Sequence, residues 1–258
     1  MITNKKIKEL VALNQKSKER KKAGLFLAEG IKMFMEAPID RIREVYVSES
    51  FFATKECKEK LEQTGFETVP EETFKKISDT ITPQGIICVL KQMEHTLDEM
   101  LSADHPVIMV LEDLQDPGNV GTIIRTGEGA GISGVVLTKG SVDIYNPKTI
   151  RSTMGSVYRV PFIYVENLSE VIATLKNQGI RTYAAHLKGE AYYDEFDYIK
   201  EKGTAFLIGN EGNGLREETA GLADTYLKIP MEGKVESLNA AIAASVLMYE
   251  TLRQKRQK

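Results

Sequence analysis

The chain has 258 residues, enough for one large domain or two modest ones that each bury a core. Its 42% hydrophobic and 28% charged content is that of an ordinary globular chain, and no run approaches the roughly 18 apolar residues of a membrane span. A net charge of −3, taken as an average, argues against a nucleic-acid partner.

Near the start, Ile7, Leu10, Val11 and Leu13 form the apolar side of a basic amphipathic stretch. "GLFLAEG", "REVYVSES", "ETVP" and "GIICVLK" read as short strands, with "SFFATKECKEKLEQTG" and "EETFKKISD" as helices between them. Residues 1–95 are therefore expected to form a small α/β domain. "KQMEHTLDEMLSADHP" has few strong apolar residues, so residues 96–105 are expected to be a linker. From Pro106 onward "PVIMVLEDL", "GVVLTKG", "VPFIYV", "IRTYAAHL", "TAFLIGN" and "TYLKIPM" are short, apolar and β-branched. Helical segments such as "NVGTIIRTGEGAG", "NPKTIRSTMGS", "LSEVIATLKNQG" and "GLREETAGLA" alternate with them. That alternation predicts, over residues 106–258, an α/β domain whose parallel sheet carries helices on both faces. The last helix, "SLNAAIAASVLMYETLRQ", is expected to carry Leu238, Ile242, Val246 and Tyr249 on one stripe, with Ser237 as its N-cap.

Charge and cysteine placement add two expectations. Residues 1–23 hold Lys5, Lys6, Lys8, Lys16, Lys18, Arg20, Lys21 and Lys22 against only Glu9 and Glu19, and the tail "RQKRQK" is basic as well. Such clusters can track a phosphate backbone even on an acidic protein; a solvated helix face and a frayed tail are the plainer alternative, and charge alone leaves both open. Cys57 and Cys88 fit no disulfide or metal spacing and "MITNKKIKEL" has no secretory pattern, so a reducing cytoplasm is expected.

Three turns carry more than structure requires. In "VLEDLQDPGNVGTIIRTGEGAG", Asp116, Pro117 and Asn119 are turn and cap residues. Val120, Ile123, Ile124 and Gly127 make a sheet-facing stripe, and Arg125 falls off it. Gly121, Gly127, Gly129 and Gly131 each cost about 1 kcal/mol relative to alanine inside a helix. A neighbouring chain or ligand close to bare backbone would offset that; tight helix–sheet packing would do so as well. "LIGNEGNGL" exposes backbone groups around Glu211, yet fits neither the phosphate loop nor the dinucleotide fingerprint. "IPMEGKVESLNAAIAAS" sets Ser237 and Asn239 at a helix start, where both could simply be caps. In a parallel sheet the three turns should face one crevice beyond the strands' carboxyl ends. His95, His105 and His186 are scattered without a metal pattern, and there is no G-x-S-x-G elbow. An enzyme built this way works by positioning a reactive cosubstrate. A nucleotide-dependent oxidoreductase is disfavoured by the missing dinucleotide fingerprint.

Together and in this order, "DPGNVGTIIRT", "LIGNEGNGL" and "IPMEGKVESLNAAIAAS" resemble the three motifs of the SpoU/TrmH family of RNA ribose 2′-O-methyltransferases, of the SPOUT class. "NPKTIRSTMGSVYRVP" resembles the segment that ribosomal-RNA members carry between the first two. The match spans residues 106–250, and residues 1–95 more loosely resemble the ribosomal-protein-like substrate-binding domain often placed ahead of it. The resemblance implies S-adenosylmethionine as methyl donor, a homodimer with the site near its interface, and a trefoil knot; the scattered histidines give no reason to expect a metal. A knot would not be proposed from chain topology, since true knots are essentially absent from folds.

Carried over residue by residue, the resemblance places the catalytic arginine on Arg125 and its partner asparagine on Asn119. The remaining catalytic positions fall on Glu211, Ser237 and Asn239, and the cofactor contacts on Gly209, Ile229, Leu238 and Ala185. An arginine side chain stays protonated in proteins, so Arg125 is expected to hold an RNA phosphate and orient the ribose hydroxyl rather than act as a base. Arg20, Lys21 and Lys22 are the expected RNA contacts of the first domain, with ribosomal RNA ahead of transfer RNA as substrate. A non-catalytic RNA-binding protein on the same fold is the rival, disfavoured because all five catalytic positions are intact.

Overall fold

The structure, a computed structural model, describes residues 2–189 and 191–257. It divides into two compact units: the chain up to Met93 with Asp143–Tyr158, and Glu94–Val142 with the chain from Arg159 on.

The first unit opens with α1 (Asn4–Gln15), capped by Thr3, and α2 (Ser17–Ala23), which ends on Gly24. Then follow β1 (Leu25–Glu29), α3 (Ile31–Glu36), β2 (Ile42–Ser48) and α4 (Lys55–Thr64). β3 (Glu67–Val69), α5 (Glu71–Ile77) and β4 (Ile86–Lys91) complete a four-stranded sheet of order β1-β4-β2-β3. β4 runs antiparallel to both β1 and β2, and β3 is parallel to β2. Leu10 and Leu13 of α1 and Phe74 and Ile77 of α5 pack on the sheet residues Leu27, Tyr46, Ile87 and Val89. This face is what the apolar stripe of the first helix exists to cover.

The chain then forms α6 (Leu97–Leu101), β5 (Val107–Leu111), α7 (Pro117–Ala130) and β6 (Gly134–Thr138). It returns to the first unit with Asp143–Tyr158, which holds α8 (Pro147–Thr153). The remainder contributes β7 (Phe162–Val165), α9 (Leu168–Asn177), β8 (Ile180–Ala185), β9 (Ala191–Tyr192) and β10 (Gly203–Ile208). α10 (Glu217–Ala220), β11 (Thr225–Lys228) and α11 (Ala240–Lys255) end the chain. Among the described residues these strands form a seven-stranded parallel sheet of order β7-β6-β5-β10-β8-β11-β9. Ile108, Val110, Ala205 and Leu207 meet Leu168, Val171, Ile172 and Leu175 of α9. By strand alternation Met109 and Phe206 face the other way, toward the layer of α7 and α11.

The expected sheet-facing stripe of α7 is buried, and its glycines have separate reasons. A Cβ at Gly127 would overlap the Ile132 side chain, and one at Gly129 would lie 3.2 Å from the Tyr249 hydroxyl. Gly131 ends the helix at φ +69°, a conformation that glycine adopts without strain.

Four expectations are corrected. Residues 96–105 are no bare linker: Thr96 caps α6 by accepting from Glu99 N at 3.2 Å, and Met100 is buried beside Ile108 and Val136. A five-residue helix is too short to display a period in sequence. Asp143–Tyr158 packs in the first unit although its flanks lie in the second. Tyr145 stacks on Phe26 with ring centroids 4.6 Å apart, its hydroxyl accepts from Met93 N at 2.7 Å, and Arg151 pairs with Asp79 at 2.8 Å. The cap of α11 is Asn239, which accepts from Ala241 N and Ile242 N, so Ser237 and Leu238 precede the helix. Its buried side is Ala240, Ala241, Ala244, Leu247 and Met248, while Ile242 and Tyr249 of the expected stripe are half exposed.

Candidate functional site

The site grows from the carboxyl end of β5. Asp116 caps α7 by accepting from Asn119 N at 2.8 Å, with Pro117 at the first helical position, where its missing N–H costs nothing. The loop after β10 is a tight reversal. Asn210 N donates to Gly214 O at 3.1 Å, Gly214 N donates back at 2.9 Å, and Asn210 Oδ1 accepts from Gly212 N at 2.9 Å. A side chain at Gly209 would collide with the backbone of Gly214 and Leu215, so two strands of main chain touch there.

One chain of hydrogen bonds joins the three turns. The Glu211 carboxylate accepts from Gln115 N at 3.2 Å, from Asp116 N at 3.1 Å and from Asn119 Nδ2 at 3.0 Å. Asn119 Oδ1 accepts from Asn239 Nδ2 at 2.9 Å, and Asn239 Oδ1 starts α11. Partial burial pushes the Glu211 carboxyl up. The donors Asn119, Asp116 and Gln115 outweigh it and hold the group below the ordinary glutamate value. Glu211 is thus an ionised clamp that aims Asn119; its oxygens are occupied by the protein.

A second network, which the sequence reading missed, holds the same loop from behind. Glu112 is buried and accepts from Arg216 N at 2.8 Å and Thr219 Oγ1 at 2.5 Å. The Arg216 guanidinium pairs with Asp113, whose carboxylate also accepts from Thr138 Oγ1 at 2.7 Å. Asp113 sits at φ +52° and its carbonyl accepts from Asn210 Nδ2 at 2.8 Å. The available signal was the acid pair directly after an apolar strand, a place where unpaired carboxylates would be costly.

Beyond the ends of β8, β10 and β11 lies a cavity of about 320 Å³. Ala185, Gly209, Ile229 and Leu238 all line it, as do Glu211 and Ser237. Ser237 has no hydrogen-bond partner among the described residues. Apolar Ile208, Leu215 and Met231 and the bare backbone of Gly209–Gly214 suit a ligand with one apolar end and several polar groups. S-adenosylmethionine, with an adenine and an amino-acid end, has that character.

Arg125 lies on α7 two turns beyond its cap, exposed, and makes no hydrogen bond or ion pair among the described residues. Glu128, one turn further on, is bonded to Arg159 and so does not neutralise it. Arg20, expected at the RNA, does not fit that role. It is 3% exposed; Nε and Nη2 donate to Asp143 at 2.9 and 2.7 Å and Nη1 donates to Leu13 O and Asn14 O. Lys21 and Lys22 stay exposed without partners among the described residues.

No group of three metal-ligating side chains occurs among the described residues, and no described helix is long and apolar enough to cross a membrane. The two cysteines are buried and free.

Known proteins carry the same parts. The sequence model of the SpoU rRNA Methylase family matches residues 106–249, and that of the MRM3-like substrate binding domain matches residues 4–88. The 23S rRNA (guanosine(2553)-2'-O)-methyltransferase RlmP of Bacillus subtilis is 34% identical over 250 residues, 95% of each chain. Among solved structures, the SpoU methyltransferase AviRb from Streptomyces viridochromogenes in complex with AdoMet superposes with a TM-score of 0.88 at 26% identity, over 98% of this chain and 99% of that one. An AdoMet-bound rRNA methyltransferase from Sinorhizobium meliloti superposes with a TM-score of 0.85 at 31% identity, over 98% and 96% of the two chains.

Proposed function

The chain belongs to the SpoU rRNA methylase family, and on that premise we propose that it transfers a methyl group from S-adenosylmethionine to a ribose 2′-hydroxyl of large-subunit ribosomal RNA. The observation that carries this reading is the Glu211–Asn119–Asn239 chain of hydrogen bonds, which assembles three distant turns beside one cavity. Ribosomal RNA is favoured over transfer RNA because the relative named for 23S rRNA aligns through both units, not the second alone.

The cavity residues fit the methyl donor: Gly209, Ile229, Leu238 and Ala185 would hold it, largely through backbone. When bound, S-adenosylmethionine supplies an electrophilic methyl group. The chain's own part is placement. Arg125, exposed and unpaired, grips the phosphate beside the target ribose with its planar fork. Asn119, fixed at both ends of its amide, sets the start of the helix that aims Arg125. The hydroxyl proton passes to a phosphate oxygen or water, because an arginine side chain stays protonated.

The same reading includes a homodimer. The half-exposed Ile242 and Tyr249 of α11 offer it an apolar face beside α7. It includes a knotted C-terminal unit as well, with which β10 entering between β5 and β8 is compatible. The free, buried cysteines fit a reducing cytoplasm.

The test is transfer of labelled methyl from S-adenosylmethionine into deproteinised total RNA from cells lacking this protein, comparing wild type with Arg125→Ala. Label in large-subunit ribosomal RNA with wild type only is the expected outcome. Label confined to transfer RNA would overturn the substrate, and a wild type without S-adenosylmethionine binding would overturn the activity.

A further inference from the structure

The first unit presents a surface that methyl transfer does not account for. At one end of its sheet the loop after β2 and the loop before β4 are fastened together. Ser48 N donates to Gly85 O at 2.9 Å, and Ser50 N ties the loop after β2 to α5 as well by donating to Glu71 Oε1 at 2.8 Å. Gly85 has φ +79°, and a Cβ there would press on Ser48 Oγ and the Phe51 side chain. From the other side Glu29 ties down the turn before β4, accepting from Ser78 Oγ at 2.7 Å, Asp79 N at 3.1 Å and Thr80 Oγ1 at 2.5 Å.

Anchored loops of this kind nevertheless hold large apolar side chains in water. Phe52 is 84% exposed and Ile81 is fully exposed. Phe52, Thr82 and Pro83 line a groove of about 330 Å³ that Lys75 also lines, and Lys58 Nζ stands 5.6 Å from the Phe52 ring centroid. Neither lysine makes an ion pair among the described residues. Glu71, the acid in the groove, accepts from Ser50 N and lies close enough to Lys75 to feel its charge, so Lys58 is the cation beside the ring without a counter-charge in contact.

We propose that this groove binds an unpaired base of the RNA substrate, stacked on Phe52 and flanked by Ile81, with Lys58 and Lys75 at the adjoining phosphates. The proposal rests on reading the protein as an RNA methyltransferase. An unpaired lysine at an exposed aromatic ring, with a second lysine along the same groove, matches a ligand with flat apolar faces and negative charge, on a chain whose own net charge is −3. Bases splayed out of loops and bulges are recognised by such stacking. Because the loops are pinned by glycine contact and carboxylate–backbone bonds, little ordering remains to oppose binding.

The experiment measures three quantities for wild type, Phe52→Ala, Phe52→Tyr, Ile81→Ser and Lys58→Gln/Lys75→Gln. They are the Kd for deproteinised large-subunit ribosomal RNA at several salt concentrations, the Kd for S-adenosylmethionine, and the thermal midpoint. Phe52→Ala raises the RNA Kd by roughly ten-fold, the loss of one base–aromatic stack, and Phe52→Tyr restores it. Ile81→Ser weakens RNA binding by a smaller factor, and the double lysine variant flattens the salt slope by roughly 1.4. S-adenosylmethionine affinity and the thermal midpoint stay unchanged, because all four side chains stand outside both cores. Wild-type RNA affinity in Phe52→Ala overturns the proposal, as does equal loss in Phe52→Ala and Phe52→Tyr. A change in oligomeric mass with RNA affinity intact overturns it in favour of a protein interface. A wild type that binds S-adenosylmethionine but neither binds nor methylates the RNA removes the underlying activity reading as well.

Discussion

Helices α2 and α7 each carry an arginine among residues that read as ligand-facing, and the two side chains have opposite fates. Arg20 is sunk under α1, with its donors used by Asp143 and two carbonyls. Arg125 stands in solvent with nothing to hold it. A guanidinium has five donors and a permanent charge that is costly to bury unpaired, so a folded chain either satisfies it or leaves it to water and ligands. Arg20 therefore belongs to stability, and Arg125 is left free for the substrate contact proposed for it. The contrast extends to the units around them. Distant segments of the first unit are joined by charge pairs, Arg20–Asp143 and Arg151–Asp79, whereas the second joins its three turns through amides around one carboxylate.

The largest expected effect is on Arg125. Arg125→Lys keeps the charge and loses the fork, so methyl transfer falls by about 100-fold or more while folding stability changes by less than about 0.5 kcal/mol. Near-wild-type turnover would show that charge alone suffices. Arg20→Ala should do the reverse: it strips the partly buried Asp143 of its cationic partner and the Leu13 and Asn14 carbonyls of their donor, and costs about 3 kcal/mol of unfolding free energy, read by denaturant titration. If stability held and RNA affinity fell instead, the two arginines would not differ in kind.

Glu211→Gln keeps the shape and exchanges one acceptor oxygen for a donor, which then faces either Gln115 N or the Asp116 N and Asn119 Nδ2 pair. Turnover should drop about 10-fold or more with a small change in stability. The pH behaviour has a definite sign. Its folded value lies below the ordinary 4.5, so the clamp's contribution is fully present above that value. It is lost as pH falls through the lower folded value. Glu211 should therefore leave no inflection in the pH–rate profile near neutrality, and one that vanished in Glu211→Gln would contradict the clamp. The smallest effect is expected for Lys21→Gln/Lys22→Gln: RNA affinity weakens modestly, its salt slope falls by roughly 1.4 to 1.8, and stability is unchanged. An unchanged slope would remove α2 from the RNA surface altogether.

Much of this was legible in sequence because it obeys local rules. The short apolar strands from Pro106 onward, alternating with helical segments, and the Val120–Ile123–Ile124–Gly127 stripe are local signals, which need no partner to be seen. α6 escaped because five residues carry no period. The cap of α11 was placed two residues early because Ser237 and Asn239 are both good caps, and the choice is made by which side chain reaches Ala241 N and Ile242 N. The stripe on α11 was misread because alanines fill its buried side, so its larger apolar residues face outward.

By itself the sequence determined the types of the longer elements, the family through three ordered motifs, and the residue types at the proposed site. Only tertiary structure decided that Asp143–Tyr158 joins the first unit, that Arg20 is internal, and that Glu211 grips Asn119. The division has one physical cause. Secondary structure and turns are set by neighbours within a few positions, whereas the fate of a charged side chain depends on burial and on partners 92 or 123 residues away.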